Sequence, residues 1–216
     1  MKLWAKILNI LFPNKCISCN KIGKSLCMEC LHKIQRSSEN NKSIHSLYSY
    51  KNIFIKKLLL EFKYKNRRSI VEDLSPIIVD ELIEILSEKY AFINTENILI
   101  TGIPMSFKRL KNRSINHSEI IAKEISRESN KRGSFIKYKQ ILGKKFETTP
   151  QAKIKNKQNR LENIKGSFYY LGNKKNMSSI IIVIDDISTT GATLFEAKKC
   201  LEKNGFKNII LFSIAH

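Results

Sequence analysis

The segment from Ile180 to Leu194 reads Ile-Ile-Ile-Val-Ile-Asp-Asp-Ile-Ser-Thr-Thr-Gly-Ala-Thr-Leu, and it decides the fold that we expect for this chain. Its first five residues are all β-branched and predict a buried central strand of a parallel sheet. A helical pattern from Ala192 to Asn204 follows, with Gly205 after its end. A last apolar strand is predicted over Asn208–Ile214. Strand, helix and strand in this order predict an α/β fold with right-handed crossovers between parallel strands.

Polar side chains lie between the end of this predicted strand and the start of the helix. Two adjacent carboxylates stand at the carboxyl end of the strand, where open α/β sheets bind ligands. The loop hydroxyls and the N–H groups at the helix start predict an anion site, and Gly191 lets the backbone approach closely. Because carboxylates repel phosphate, the acids must bind something else, and the vicinal hydroxyls of a ribose would donate to them. We therefore predict a ribose 5-phosphate site formed by Asp185, Asp186, Ile187, Ser188, Thr189, Thr190, Gly191, Ala192 and Thr193.

Four of the five cysteines form two Cys-x-x-Cys pairs close together in the chain: Cys16, Cys19, Cys27 and Cys30. This spacing is typical of a tetrahedral four-cysteine zinc site, whereas a redox site needs a single pair. All four positions of the metal would be filled by protein, so the zinc is predicted to be structural. Cys200 lies in the predicted last helix and is interpreted as a small buried side chain.

Outside these segments the apolar pattern alternates between helix and strand. It predicts helices over Ile53–Tyr64, Ile70–Phe92 and His117–Ser129 and a buried strand over Ile98–Pro104. The stretch from Phe135 to Lys175 is polar and basic, with no strong period until Gly166–Leu171. Pro76 is expected to interrupt or start the second of these helices. We predict two domains. Residues 1–45 would hold an N-terminal helix and the cysteine module, and residues 46–216 would hold the α/β domain.

The charge is large and unevenly distributed. The chain of 216 residues has 39 Lys and Arg against 19 Asp and Glu, a formal net charge of +20. Such a surplus indicates a polyanionic partner, although codon bias toward Lys would also produce it. Lys51–Arg68 is basic, Glu72–Glu96 is acidic and Lys137–Lys175 is basic again, a division that codon bias does not explain.

Aromatic residues alternate with the basic residues of the first of these segments, as in proteins that stack single-stranded nucleic acid. The alternative is that the aromatics belong to the core and the lysines to a solvated face. The candidate nucleic-acid contacts are Lys51, Lys56, Lys57, Lys63, Tyr64, Lys65, Arg67 and Arg68.

The first 13 residues form a short amphipathic pattern that ends at Pro13. No small-residue cleavage site follows it, and no apolar run is long enough to cross a membrane. We expect a cytoplasmic protein whose N-terminal segment docks on its own body. Peripheral attachment to the inner face of the membrane is the alternative.

The segment around the acid pair resembles the phosphoribosyl pyrophosphate (PRPP) motif of type I phosphoribosyltransferases. Together with motifs elsewhere, it makes nearly the whole chain similar to the ComF family of competence proteins. Those motifs are the four cysteines, Tyr48–Tyr50, Ile55–Tyr64, Ile103–Arg109, Arg113–His117, Thr149–Gln151, and Arg160–Asn163 with Gly166–Phe168. The resemblance implies a zinc-binding N-terminal module on a type I phosphoribosyltransferase domain. It also implies a role in handling single-stranded DNA as it crosses the inner membrane during natural transformation.

Roles for individual residues follow from the resemblance. The acid pair would hold the ribose hydroxyls of PRPP, Ser188–Thr193 the 5-phosphate, and Mg²⁺ would accompany the pyrophosphate. Arg109, Arg113 and Arg160 are candidates for the pyrophosphate side, although residues 113–117 read Arg-Ser-Ile-Asn-His where the family has Arg-Gly-Phe-Asn-Gln. A helicase-like motor of the uptake machinery is the implied protein partner. The rival interpretation is an active phosphoribosyltransferase of nucleobase salvage that uses Mg²⁺–PRPP.

Overall fold

A computed structural model of the chain describes residues 13–37, 43–90, 97–107, 110–111, 115–133, 136–145, 162–172 and 180–216. The helices are α1 (Met28–His32), α2 (Ile53–Lys65), α3 (Ser69–Tyr90), α4 (His117–Lys131) and α5 (Ala192–Lys203). The strands are β1 (His45–Tyr48), β2 (Ile98–Gly102), β3 (Ile136–Tyr138), β4 (Leu142–Lys144), β5 (Phe168–Tyr170), β6 (Ile180–Ile187) and β7 (Ile209–Ala215).

Five strands form one parallel sheet in the order β1-β7-β6-β2-β3. Strand β6 lies at its centre, with β2 on one side and β7 on the other, and its first five residues are all buried. Strands β4 and β5 form a separate antiparallel pair. The predicted fold class, a parallel α/β sheet flanked by helices, is confirmed.

Helices cover both faces of the sheet because the side chains of β6 alternate between them. Ile182 and Ile184 share one apolar cluster with buried residues of α2, α3 and α4. Ile181 and Val183 face the other way and pack with Leu194 and further residues of α5. A strand buried on both faces explains why this segment is apolar without alternation.

Helix α3 runs through Pro76 without a break, so the expected interruption or start at this residue is wrong. Proline has no N–H to donate to the carbonyl of Glu72, four residues earlier. The hydroxyl of Ser75 donates to that carbonyl instead, at 3.2 Å. The side chain before the proline thus replaces the missing backbone bond.

The cysteine module packs on α2 and α3. The Ser25 amide donates to the Asp73 carboxylate at 2.6 Å, and Arg36 forms an ion pair with Glu81. Leu26 and Leu31 belong to the same apolar cluster as the core of α3. The predicted domain boundary between residues 45 and 46 falls at the first residue of β1 and stays a prediction.

The structure adds four strands that the apolar pattern does not indicate: β1, β3, β4 and β5. Three of these are only three residues long, which is too short for a recognisable alternation. Among the helices that the structure describes, none is long and apolar enough to cross a membrane.

Candidate functional site

Asp185 and Asp186 lie near the carboxyl end of β6, as predicted, and the surrounding backbone and side chains hold both carboxylates in place. One oxygen of Asp185, Oδ1, accepts hydrogen bonds from the Ser118 hydroxyl at 2.8 Å and from the Asp186 amide at 2.9 Å. One oxygen of Asp186, Oδ1, accepts from the Ile187 amide at 2.7 Å. Asp186 is buried and Asp185 is partly buried. The pair is therefore a fixed set of acceptors rather than a solvated charge.

Lys63 of α2 contacts this pair. Its ammonium nitrogen lies 2.9 Å from Oδ2 of Asp186, and its side chain is 28% exposed. Burial by itself lowers the pKa of Lys63, but the carboxylate of Asp186, with smaller contributions from Asp185 and Tyr50, raises it above its ordinary value. The ammonium therefore stays charged over the physiological range.

The same surroundings favour the charged form of Lys63 but the neutral form of Asp185. Burial and the adjacent Asp186 charge raise the pKa of Asp185 to about 7, although Ser118 and Lys63 counteract part of this rise. A carboxyl that titrates near neutrality accepts hydroxyl donors more strongly once it has lost its proton. Ligand hydroxyls that donate to Asp185 would therefore favour its ionised form.

The turn after the acid pair leads into α5 in a geometry that requires glycine. Gly191 precedes the helix with φ +74°. A Cβ at this position would lie 2.5 Å from Cδ1 of Ile44 and 2.7 Å from the Phe195 ring. The Ser188 amide donates to the Ala215 carbonyl at 2.9 Å. Its hydroxyl is buried and has no hydrogen-bond partner among the described residues, which leaves a polar atom for a ligand at this turn.

A second loop approaches from β2. The amide of Ile103 donates to the Ile184 carbonyl at 3.0 Å, and the Asn116 side chain donates to the Ile103 carbonyl at 3.1 Å. Gly102 lies against the backbone of Ser118, where an added Cβ would be 2.6 Å from its carbonyl carbon. This close approach brings the Ser118 hydroxyl to the acid pair. The pyrophosphate-side candidates Arg109, Arg113 and Arg160 lie outside the described residues, so their roles stay predictions.

The four predicted zinc ligands come together. The sulfur atoms of Cys16, Cys19, Cys27 and Cys30 all lie within 4.8 Å of one another. Those of Cys19 and Cys27 are 3.6 Å apart, close to the roughly 3.8 Å edge of a tetrahedron with 2.3 Å zinc–sulfur bonds. Burial raises the pKa of Cys16, but backbone donors outweigh it and hold this pKa at about 6. These residues fit a zinc ion.

The candidate nucleic-acid residues are divided between contacts within the protein and open surface. Lys63 binds Asp186, Lys65 and Arg67 form ion pairs with Glu61, and Arg67 also donates to the Lys15 carbonyl at 2.7 Å. On α2, Lys56, Lys57 and Tyr64 have exposed side chains; Arg68 after the helix is exposed too, as is Lys51 before it, which also makes a contact of its own. A nucleic acid on α2 would therefore meet Lys56, Lys57 and Tyr64 first.

Two of the site's contacts were not predicted from sequence. Ser118 comes directly after the residues of the Arg113–His117 motif, and helix spacing places Lys63 four and eight residues after buried Leu59 and Ile55. A lysine on the buried side of a helix is a signal that could have been used. Ser118 offered a weaker signal, because only the fold brings α4 to the end of β6.

Comparison with known proteins finds likeness in structure only. No protein-family model matches the chain, and no curated protein does. Two solved structures similar to it are a hypoxanthine-guanine phosphoribosyl transferase of L. donovani and a hypoxanthine phosphoribosyltransferase of Staphylococcus aureus. The first aligns over 68% of this chain and 67% of its own, with 11% identity and a TM-score of 0.41. The second aligns over 66% of this chain and 62% of its own, with 14% identity and a TM-score of 0.33.

Proposed function

We propose that this chain binds a ribose 5-phosphate ligand, PRPP or a close relative, at the carboxyl end of β6. The observation that carries the proposal is the placement of the acid pair directly before the Ser188–Gly191 turn and the start of α5. The carboxylates would accept the ribose hydroxyls. The Ser188 hydroxyl and the first N–H groups of α5 would donate to the phosphate.

Mg²⁺ would arrive with PRPP and bridge its pyrophosphate oxygens, neutralising charge that the protein would otherwise have to meet. The chain's own part is to orient the sugar. The Ser118 hydroxyl and two backbone amides fix the carboxylates near the carboxyl end of β6, so ligand binding need not order them.

The test is the affinity for Mg²⁺–PRPP by calorimetry, for wild type and for the double variant Asp185→Asn with Asp186→Asn. Each lost hydrogen bond between a hydroxyl and a charged group is worth about 1.5–3 kcal/mol, so binding should weaken by tenfold or more. The matched control is Asp80→Asn, because Asp80 is an exposed aspartate on α3. Equal affinity of the double variant and wild type would contradict the proposal.

We further propose a ComF-like role in which the outer face of α2 contacts single-stranded DNA. This face holds a groove of about 600 Å³ lined by Ile53, Lys56, Lys57, Leu60, Glu61, Tyr64 and Lys65. Ile53 and Tyr64 are 73% and 75% exposed. Bases stack on exposed aromatics while lysines contact the phosphates, which is the combination that this face offers.

Single-strand binding should be measured with a labelled oligonucleotide at several salt concentrations, with and without Mg²⁺–PRPP. Tyr64→Ala should weaken it several-fold, since stacking contributes about 1–3 kcal/mol per base. Tyr169→Ala, which removes an exposed tyrosine of β5, is the control. Binding that is absent, or that does not weaken as salt rises, would contradict the DNA role.

The remaining expectations belong to this proposal. They are a structural zinc in a module of residues 1–45, a helicase-like partner, and a cytoplasmic location, with membrane-surface attachment as its alternative. Release of pyrophosphate from PRPP with any base of a panel would instead favour the transferase of nucleobase salvage.

A further inference from the structure

Lys63 reaches the acid pair from the buried side of α2. It follows Leu59 by four residues and Ile55 by eight, and both of these are fully buried. The ammonium lies 2.9 Å from Oδ2 of Asp186. The other oxygen of this carboxylate, Oδ1, accepts the hydrogen bond from the Ile187 amide. Lys63 thus directs a positive charge at the acids from the buried side of α2.

The elements around this contact are joined to one another. Phe62 packs edge-on against the ring of His117, the first residue of α4, with the ring centres 4.9 Å apart. The next residue of α4, Ser118, donates to Asp185. Tyr50, just before α2, also acts on the ammonium electrostatically. The groups that face Lys63 are therefore both aspartates and Tyr50, with His117 beside them.

A ribose-phosphate ligand makes a cation here necessary. The pair accepts hydroxyl hydrogens most strongly when it is ionised, yet two adjacent carboxylates in a partly buried site oppose each other's charge. A phosphate bound close by adds further negative charge. Lys63 offsets one of these charges through its ion pair with Asp186.

We propose that Lys63 is a positioning residue for ligand binding, which orients Asp186 and favours the ionised form of the acid pair, the form that accepts the ribose hydroxyls most strongly. This inference rests on the proposed ribose-phosphate function. It assigns to Lys63 a part in ligand recognition, which differs from its prediction as a nucleic-acid contact and from a salt bridge that serves folding alone.

The experiment measures Mg²⁺–PRPP affinity between pH 5.5 and 8.5 for wild type, Lys63→Met and Lys63→Arg. Lys63→Met should weaken binding by about tenfold or more. It should also raise the pH at which binding is lost on acidification by about one pH unit, since one unit corresponds to a tenfold change. Lys63→Arg keeps the charge and should restore most of the affinity. Lys198→Met is the control, because Lys198 pairs with Glu202 on α5, away from the acids.

Weaker binding by Lys63→Met with an unchanged pH profile would overturn the inference, because a purely structural loss predicts that result. So would affinity equal to wild type. If Lys63→Met does not fold, wild-type protein with ¹⁵N-labelled lysine provides the test. Mg²⁺–PRPP should then shift the ammonium signal of Lys63 and leave that of Lys198 in place, and an unmoved Lys63 signal would overturn the inference.

The two proposals can fail separately. If wild type binds Mg²⁺–PRPP and Lys63→Met binds it identically, the inference alone is overturned. If wild type does not bind Mg²⁺–PRPP, the ribose-phosphate function is overturned together with the inference that rests on it.

Discussion

The two candidate sites of this protein gather their side chains in opposite ways. The four cysteines come from one short stretch, Cys16–Cys30, and meet through local turns. The acid pair takes Ser118 from 67 residues away and Lys63 from a different helix. One site thus follows from spacing along the chain, whereas the other exists only once the sheet and its helices have assembled.

Helix α2 and the turn that follows it contact both sites. Lys63 of α2 pairs with Asp186, and Arg67, two residues after the helix ends, donates to the Lys15 carbonyl beside the cysteine module. The two sites are therefore joined through α2 and this turn. Variants that disturb one site should leave the other intact unless the damage reaches α2.

The largest effect on stability is expected when the four-cysteine site is disrupted. Cys16→Ser removes a buried ligand and should abolish zinc binding, lowering the free energy of unfolding by roughly 4 kcal/mol or more, as loss of a structural metal does. Elemental analysis for zinc and chemical denaturation measure the two effects. Cys200→Ser, outside the cluster, should retain the metal. A Cys16→Ser protein with full zinc content would show that the module does not depend on this ligand.

Gly191→Ala should disturb the turn beside the acid pair without removing a charged group. A left-handed φ costs about 1–2 kcal/mol in alanine, and the contact with Ile44 and Phe195 adds about 1–3 kcal/mol. Gly133→Ala is the matched control, because Gly133 has φ +72° with no atom within 4 Å of its Cβ position. Thermal denaturation should therefore separate the two variants. Equal destabilisation would show that Ile44 and Phe195 move to accommodate the added methyl group at little cost in free energy.

Arg67→Ala tests whether α2 links the two regions. The change removes the bond to the Lys15 carbonyl and the ion pair with Glu61, and we expect a loss of about 1–2 kcal/mol because the bonded group is charged. Arg68→Ala, which truncates an exposed side chain, should stay within about 0.5 kcal/mol. Zinc content should not change in either variant. Loss of zinc in Arg67→Ala would show that the module depends on its attachment.

An effect that depends on pH should come from the titration of Asp185. Its pKa is raised in the folded protein, so its contribution to stability is present below the pKa of an ordinary aspartate and is lost as pH rises through about 7. Wild type should therefore lose stability relative to Asp185→Asn between about pH 4 and pH 7, by at least about 1 kcal/mol, the equivalent of one pKa unit. Denaturation curves across this range provide the measurement. A difference of the opposite sign would mean that the folded state favours the ionised form.

The same contrast explains how much could be predicted from sequence. The fold class follows from the β-branched run of β6 and the helix after it, and the four cysteines follow from their spacing. Strands β3, β4 and β5 could not be predicted, because three residues carry no period. The continuity of α3 through Pro76 depends on a side-chain hydrogen bond from Ser75, which a proline rule does not consider.

At the acid pair, the sequence identifies the acceptors but not the residues that hold them. Asp185 and Asp186 are predicted because they sit at the end of an apolar run. Ser118 contacts Asp185 only because Gly102 lets α4 approach β2 closely, and Lys63 contacts Asp186 only because α2 packs on the same face of the sheet. Such contacts depend on the packing of distant elements, which local patterns do not specify.

The position of β1 in the sheet also affects how the chain is made. Within the parallel sheet this strand pairs with β7, with the hydroxyls of Ser46 and Ser213 2.7 Å apart across 167 residues of sequence, while its other side has a short antiparallel bridge between Tyr48 and Arg36. At roughly 5–20 residues per second, a ribosome needs on the order of ten seconds or more to synthesise that interval. During translation the side of β1 that later pairs with β7 is available to chaperones or to neighbouring nascent chains. The sheet can be completed only after β7 has left the exit tunnel.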